Sequence, residues 1–598
     1  MAVSKESQQF STLAITSVLG TDALKVTAIS YNEGISQSFR LHASCFTNQL
    51  QVAREALIDK PAVCTLKMNI GGALQERHFH GIVAAVTAGG NRLPSDADGD
   101  EFQDIELSIQ PRLDWLRQRS NCRIFQGKSA VDIVTELFAE HQVAFRNALS
   151  GSYPPREYCV QYQESDYEFV HRLLEAEGIF YFFEHNQGAH TLVLADSTSV
   201  YQPCLEEQVA CFRGDLAEAH ITDWHGQTRM TPGKSSQLGY NFRQPTKVPG
   251  ANKAEAPLGG SQPTLEVYEY VAESTWINRP AQRANAALDG LQRDMQVSGG
   301  MANCRSFMAG RYFTFKRHDD KREEGKSYVL VRVGLQVSQH NQLGAKQANG
   351  QEISCTFDCV PKAVIYRSAS QEPRPRISGV QTAVVTGGKG DEIHVDSFGR
   401  IKVQFHWDRS GELDEHSSCW VRVAQNWAGN KWGAFFYPRV GQEVVVEFLE
   451  GDPDQPLIIG AVYNGDLMPP YDLPANKTQS GLKSHSSKGG GADNFNELRF
   501  EDEKGKELLA LQAEKDHELL VKNDQRDQIK NDRITSIDNN DSLTVGKKLL
   551  VDAGQEITIQ TGAASITMKS DGTITIKGTQ IEIKGTTIAL KATKISLN

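Results

Sequence analysis

From Gln555 onward the chain is a run of apolar pairs: Ile557/Ile559, Ile566/Met568, Ile574/Ile576, Ile581/Ile583, Ile588/Leu590 and Ile595/Leu597. The members of a pair stand two residues apart, so both side chains fall on one face of a short strand. Successive pairs begin 9, 8, 7, 7 and 7 residues apart, which leaves room for a strand, a corner and the next strand. Gly572, Gly578 and Gly585 serve the corners, and Lys569, Lys577, Lys584 and Lys591 take the outer side. A strand with only a pair of inward side chains cannot bury its own apolar edge, so the missing wall has to come from other chains. Three ribbons wound round one axis enclose every pair. The pattern therefore predicts a homotrimer built on a triple-stranded β-helix, a stiff prism over residues 498–598. Its core is expected at Ile557, Ile559, Ile566, Ile574, Ile576, Ile581 and Ile583. Leu498, Phe500, Leu509 and Leu511 open the same repeat among dense mixed charge, and Ile534, Ile537, Leu543, Val545 and Val551 are the inward positions of a looser middle part.

The earlier chain also reads as mainly β, with a few helices. Between residues 10 and 115, alternating runs such as LKVTAISYNE, SFRLHAS and IELSIQPRL predict an antiparallel sheet closing toward a barrel. A helix is expected over 129–141, with Ser129 as N-cap and Val131, Val134, Leu137 and Phe138 on one stripe. Ser165 and Glu168 form a capping box ahead of a second helix that carries Phe169, Leu173 and Leu174 and stops at Gly178. A third amphipathic helix is expected at 279–294, among strands that fill 195–375. From Val380 about five short strands alternate with the turn signals Gly387-Gly388, Ala428-Gly429 and Gly451-Asp452-Pro453, which suits an OB barrel. Residues 467–497, rich in Pro, Gly, Ser and Asn, read as a linker. The domains expected are thus 1–375 with barrel-like parts, an OB domain over 376–466, the linker, and the prism over 498–598.

Composition narrows the chemistry. A net charge of -11 offers no electrostatic footprint for nucleic acid. Trp420, Trp427 and Trp432 in the OB segment are accordingly expected as trimer-contact or core residues rather than as a stacking platform, since Glu443, Glu447, Glu450 and Asp452 stand nearby. The first twenty residues lack a basic stretch followed by an apolar core, so no signal peptide is expected. No apolar run approaches the roughly 18 residues of a membrane helix. The ten cysteines show no CxxC pair and are expected as reduced, buried thiols. His78 and His80 could be two metal ligands on one strand face, but without an acidic or Cys cluster beside them they read as strand surface. Gly127-Lys128-Ser129 and Gly325-Lys326-Ser327 end like P-loops, yet Cys122 and Asp320 replace the required earlier glycine. No GxSxG, HExxH or paired CxxC motif occurs. Neither a catalytic residue nor a cofactor or metal site is expected.

The stretch 158–183, YCVQYQESDYEFVHRLLEAEGIFYFF, resembles the signature of the VgrG family, spike proteins of the bacterial type VI secretion system. The segment ELSIQPRLDWLRQRSNCRIFQGKSAVDIV and the whole OB segment from Ala383 resemble it too. The resemblance implies a tail-hub-like N-terminal part of two barrel-like domains with inserted helices, an OB collar and a puncturing needle. It implies a homotrimer that caps the Hcp tube hexamer, works with baseplate components, and carries effectors or their adaptor proteins into a target cell. It also implies a PAAR-repeat protein on the tip, where Ile588, Leu590, Ile595 and Leu597 are the expected contacts. The alternative is a phage or prophage tail baseplate hub and spike. The related phage spike carries a lysozyme domain between OB domain and needle, which needs roughly 100 residues or more. Only the short polar linker stands there, and the sequence ends with the repeat at Asn598. The expectation is therefore an unextended, non-enzymatic member, made in the bacterial cytoplasm and secreted by the type VI system. A depolymerase or muramidase using surface carboxylates is the enzymatic reading set against it.

Overall fold

The computed structural model describes residues 8, 11–49, 52–92, 101–214, 218–247, 250–271, 280–339, 351–368 and 373–596. Two compact units emerge, Met1–Glu514 and Lys515–Asn598, and each is described by itself.

In the first unit a twelve-stranded sheet makes two barrel-like halves. The first half runs Leu13–Ser17, Pro61–Ile70, Ala73–Arg92, Phe102–Gln110, Gln37–Thr47 and Lys25–Gly34. Period-two patterning explains it: in Gln37–Thr47, Phe39, Leu41, Ala43 and Cys45 are buried while Arg40, His42 and Ser44 face out. Lys25–Gly34 then pairs with Ser327–Gln339, which opens the second half. That half continues through Arg311–Arg317, Gln202–Cys211, His220–Thr228, Gln296–Ala302 and Gln351–Pro361, and the last strand pairs back onto Ser327–Gln339 to close the ring. The strand Ser327–Gln339 shows an apparent break in alternation. Residues 328–331 are all buried because Leu330 packs into the main core, while Val329 and Val331 pack on the far side with Phe180, Phe182 and Tyr201. A strand covered on both faces reads as a continuous apolar run.

The expected helices form as Ala130–Glu140, Asp166–Glu177 and Pro280–Gln292; Arg279 lies outside the described residues. Both of the first two are closed by capping boxes, Ser129 with Asp132 and Ser165 with Glu168. Gly178 ends the second helix at φ 69°, and a Cβ there would stand 2.7 Å from that of Ala286 on the third helix, so only glycine permits this packing. Asp166 opens the second helix fully buried. Its carboxylate accepts from Gln161 Nε2 and His141 Nε2 at 2.7 Å each, from Arg123 at 3.2 Å, and from Arg119. Burial pushes this carboxyl up, but the hydrogen bonds of Gln161, His141 and Arg119 and the charge of Arg123 outweigh it and hold the group below the usual range.

The OB barrel has the strand order Lys402–Phe405, Gln381–Thr386, Glu443–Phe448, Pro456–Val462, Arg422–Val423, and the bridge between Ile401 and Val421 closes it. Val385, Val403, Phe405, Val444, Val446 and Ile458 fill it, and Ile124 and Tyr162 of the preceding domain pack onto the same core. Polar contacts fasten that joint. Asp454 accepts the Val160 N–H at 2.6 Å, and Gln381 donates to the Tyr162 hydroxyl at 2.9 Å while accepting from the Trp407 indole at 2.9 Å.

The segment expected as a linker is not structureless. Gln479–Lys483 pairs with Glu497–Glu501, which pairs with Leu508–Gln512, in an antiparallel meander. In the second unit, Glu556–Thr561, Ala564–Lys569 and Ile574–Lys577 form another. Each strand there reverses onto the last, where the pair spacing alone had called for a succession of corners. Residues 515–555 and 578–596 contain no strand within the single chain.

Replacing Asp166 by Ala leaves Arg119, Arg123 and His141 around an empty, buried position. The expected cost is about 3–5 kcal/mol of stability at neutral pH, read by chemical denaturation. Because the folded carboxyl titrates below its unfolded value of about 3.9, the wild type should lose this advantage, and converge on the variant, as pH falls through that value and below.

Candidate functional site

The feature that calls for a function is the apolar face of the C-terminal meander. Its register places Ile557, Met568 and Ile574 in one row and Ile559, Ile566 and Ile576 in the next. Directly opposed residues of an antiparallel pair share a face, so all six lie together. Thr558, Thr567 and Thr575 make the row behind. Met568, Ile566, Ile576, Ile559 and Ile574 remain 37% to 65% exposed in the chain. At roughly 1.5–3 kcal/mol for fully burying such a side chain, covering the half-exposed rows is worth on the order of 5–10 kcal/mol per chain.

The apolar pattern recurs along the sequence on both sides. Ile581, Ile583, Ile588, Leu590 and Ile595 are exposed, and Leu597 lies outside the described residues. Upstream, the first meander sets Leu482, Leu498 and Leu511 in register, with Phe500 opposite Leu509. Between the meanders, Val521, Ile529, Ile537 and Val545 recur every eight residues and share a similar exposure of 41–52%. Ile534, Leu543 and Val551 fall off this octad and are 90%, 72% and 64% exposed in the single chain. The eight-residue interval was the sequence signal for Val521 and Ile529. It is easily missed because a lysine, Lys522 or Lys530, follows each of them and blurs the apolar run.

The histidine pair is placed differently from expectation. His80 is buried, its Nδ1 lying 3.0 Å from Nδ1 of His190, while His78 meets the Thr65 hydroxyl. His190 Nε2 accepts the Arg112 backbone N–H at 3.0 Å, so the neutral ring carries its proton on Nδ1 and donates it to His80. Among the described residues no group of three or more His, Cys, Asp or Glu could hold a metal ion. Burial lowers His80, and burial together with the charges of His80 and Arg112 lowers His190 to about 3. His171, buried beside Tyr181, is lowered to about 4. These groups are core, with no open face toward a ligand.

In the OB domain Trp420 stacks on His394 at 4.9 Å, and Trp427 and Trp432 are exposed.

Unfolded histidines take up protons near pH 6.5, whereas His190 and His171 stay neutral in the folded chain well below it. Stability should therefore fall as pH drops from about 6.5 toward 4, by about 1.4 kcal/mol per unit for each such residue. Melting temperatures at pH 7 and pH 5 check this, and His190→Gln should flatten the pH dependence.

Comparison with known proteins agrees with this geometry. Residues 32–341 match the phage tail baseplate hub (GPD) family, 382–463 the type VI secretion system/phage-baseplate injector OB domain, and 480–591 the bacteriophage T4 gp5 C-terminal trimerisation domain. The type VI secretion system spike protein VgrG1b of Pseudomonas aeruginosa is 37% identical over 525 residues, 87% of this chain and 69% of that one. An E. coli protein described as a component of the type VI secretion system with structural similarity to T4 tail proteins gp27 and gp5 superposes with a TM-score of 0.51. It is 20% identical and covers 75% of this chain and 99% of its own. The lidded Francisella PdpA-VgrG complex gives a TM-score of 0.53 at 8% identity, over 95% of this chain and 80% of that one. At these identities the two structures speak for the fold.

Proposed function

Since the chain belongs to the VgrG family of type VI secretion system spike proteins, we propose that three copies assemble into a puncturing spike that caps the Hcp tube and carries cargo into a target cell. The observation that carries this reading is the uncovered ladder, whose rows find cover only when further copies wind onto it. Two barrel-like halves in each of three chains make six, which suits a seat on a hexameric Hcp ring. The OB barrel is bonded directly to the hub through Asp454 and Gln381, a joint suited to passing on thrust. The needle itself works by stiffness: backbone groups left without strand partners in one chain pair with neighbours, and the Ile, Leu and Val interior stays dry. Contraction of a sheath supplies the force, so no residue needs to do chemistry, and the spike is not an enzyme.

A PAAR-repeat protein seats on the exposed apolar end around Ile588, Leu590 and Ile595, and effectors or their adaptors ride on the assembly. A PdpA-VgrG complex among the solved structures with this fold speaks for partner loading, and the resemblance to the VgrG family is what suggests Hcp and PAAR as partners. The spike is made in the bacterial cytoplasm and leaves through the type VI machine itself.

Light scattering of the purified chain should give close to three times 66.1 kDa, and a stable monomer would overturn the assembly. Ile576→Asp, which brings three carboxylates to the dry axis, should abolish the trimer or lower its melting temperature by more than 10 °C on the order-of-magnitude scale of a buried unpaired charge. Removing residues 592–598, which takes away Ile595 and Leu597 and leaves the pairs around Ile576 untouched, should leave the trimer intact but remove co-purification of the PAAR protein; undiminished capture would place the tip contact elsewhere.

A further inference from the structure

A short hairpin of the OB domain, Trp427–Ala428 with Gly433–Ala434, holds four aromatic side chains in the open. Trp427, Trp432, Phe435 and Phe436 are 64%, 59%, 60% and 62% exposed. They are held in place. The two indoles meet edge to face at 5.2 Å. Gln425 donates to the Phe436 carbonyl at 2.7 Å and accepts its N–H at 2.9 Å. Two glycines exist to allow this fold-over: a Cβ on Gly429 would stand 2.3 Å from the Trp432 ring, and one on Gly433, at φ 136°, would stand 2.3 Å from the Trp427 carbonyl oxygen. Aromatic side chains offer roughly 150–250 Å² each, so about three-fifths of four leaves on the order of 400–600 Å² of rigid apolar surface. Soluble chains rarely leave a patch of that size without a partner, and it approaches the roughly 800 Å² that each side of a standard interface contributes.

Two observations name the partner as a second copy of this chain. The hairpin's return arm is tied to the loop of the first meander through Glu392. It places the Val440 N–H on the Glu392 carbonyl, and the Glu392 carboxylate accepts the Gly489 N–H of that loop at 2.6 Å. Charge also fits. Residues 424–440 contain Lys431 and Arg439 and no acid. The OB domain offers, on the strand Pro456–Val462 and just beyond it, the exposed Ile459, Val462 and Tyr463, with exposed Glu447 on the paired strand. One edge of this strand pairs with Glu443–Phe448 throughout, while on the other edge Arg422–Val423 pairs only with Leu457 and Ile458.

We infer that the aromatic hairpin is a clasp that packs onto the 459–463 strand of a neighbouring copy, so that the three OB domains lock in register beside the start of the ladder. This rests on the trimer proposed above. Full-length protein with Trp432→Cys and Ile459→Cys, mildly oxidised, should give covalent species of two and three chains on a denaturing gel, where neither single substitution does. A trimer by light scattering without such bonds overturns the clasp and leaves the trimer standing; a monomer overturns both. As a second measurement, Trp427→Ser with Phe436→Ser should lower the melting temperature of the trimer by several degrees. An unchanged melting temperature counts against the clasp.

Discussion

A strand with one polar and one apolar face must find cover for the apolar one, and the C-terminal part of this chain has no layer of its own to supply it. That constraint organises the molecule. The six side chains around Ile566 and Ile576 sit in cross-strand register with nothing over them, and 515–555 contains no strand in a single copy. The remedy is intermolecular, so the shape of the working end belongs to an assembly and not to one chain.

The N-terminal part answers the opposite demand. There one strand, Ser327–Gln339, serves both barrel halves and is buried on both faces over residues 328–331. The buried carboxylate of Asp166 joins a helix N-terminus to two arginines and a histidine. Such a site is costly to break and ties local pieces into one body. The direct bonds from Asp454 and Gln381 carry that rigidity into the OB barrel. A part that transmits force needs few soft joints, and this stretch of the chain has its polar contacts placed at the joint.

Much of this was legible along the chain. The capping boxes of Ser129 and Ser165 and the stop at Gly178 could be read because they are local: side chain and backbone partner lie three residues apart. The C-terminal ladder could be read because period two needs no knowledge of the fold. Other features could not. His80 looked like strand surface because its cover, His190, stands 110 residues away. Residues 479–483 looked like linker because a weakly apolar strand shows itself only through its partner, Glu497–Glu501.

By itself, then, the sequence determined the class of the protein: mainly β, capped helices at set places, an OB segment, and a C-terminal repeat that cannot close alone. Periodicity, turns and caps are short-range physics, written in neighbouring residues. Only the tertiary structure decided which strand is shared between the two barrel halves, that the pairs from Ile557 to Ile576 reverse into a meander, that His80 is core, and that the OB aromatics stand rigid and uncovered. Those outcomes depend on which distant segments compete for the same apolar surface, and no local pattern carries that information.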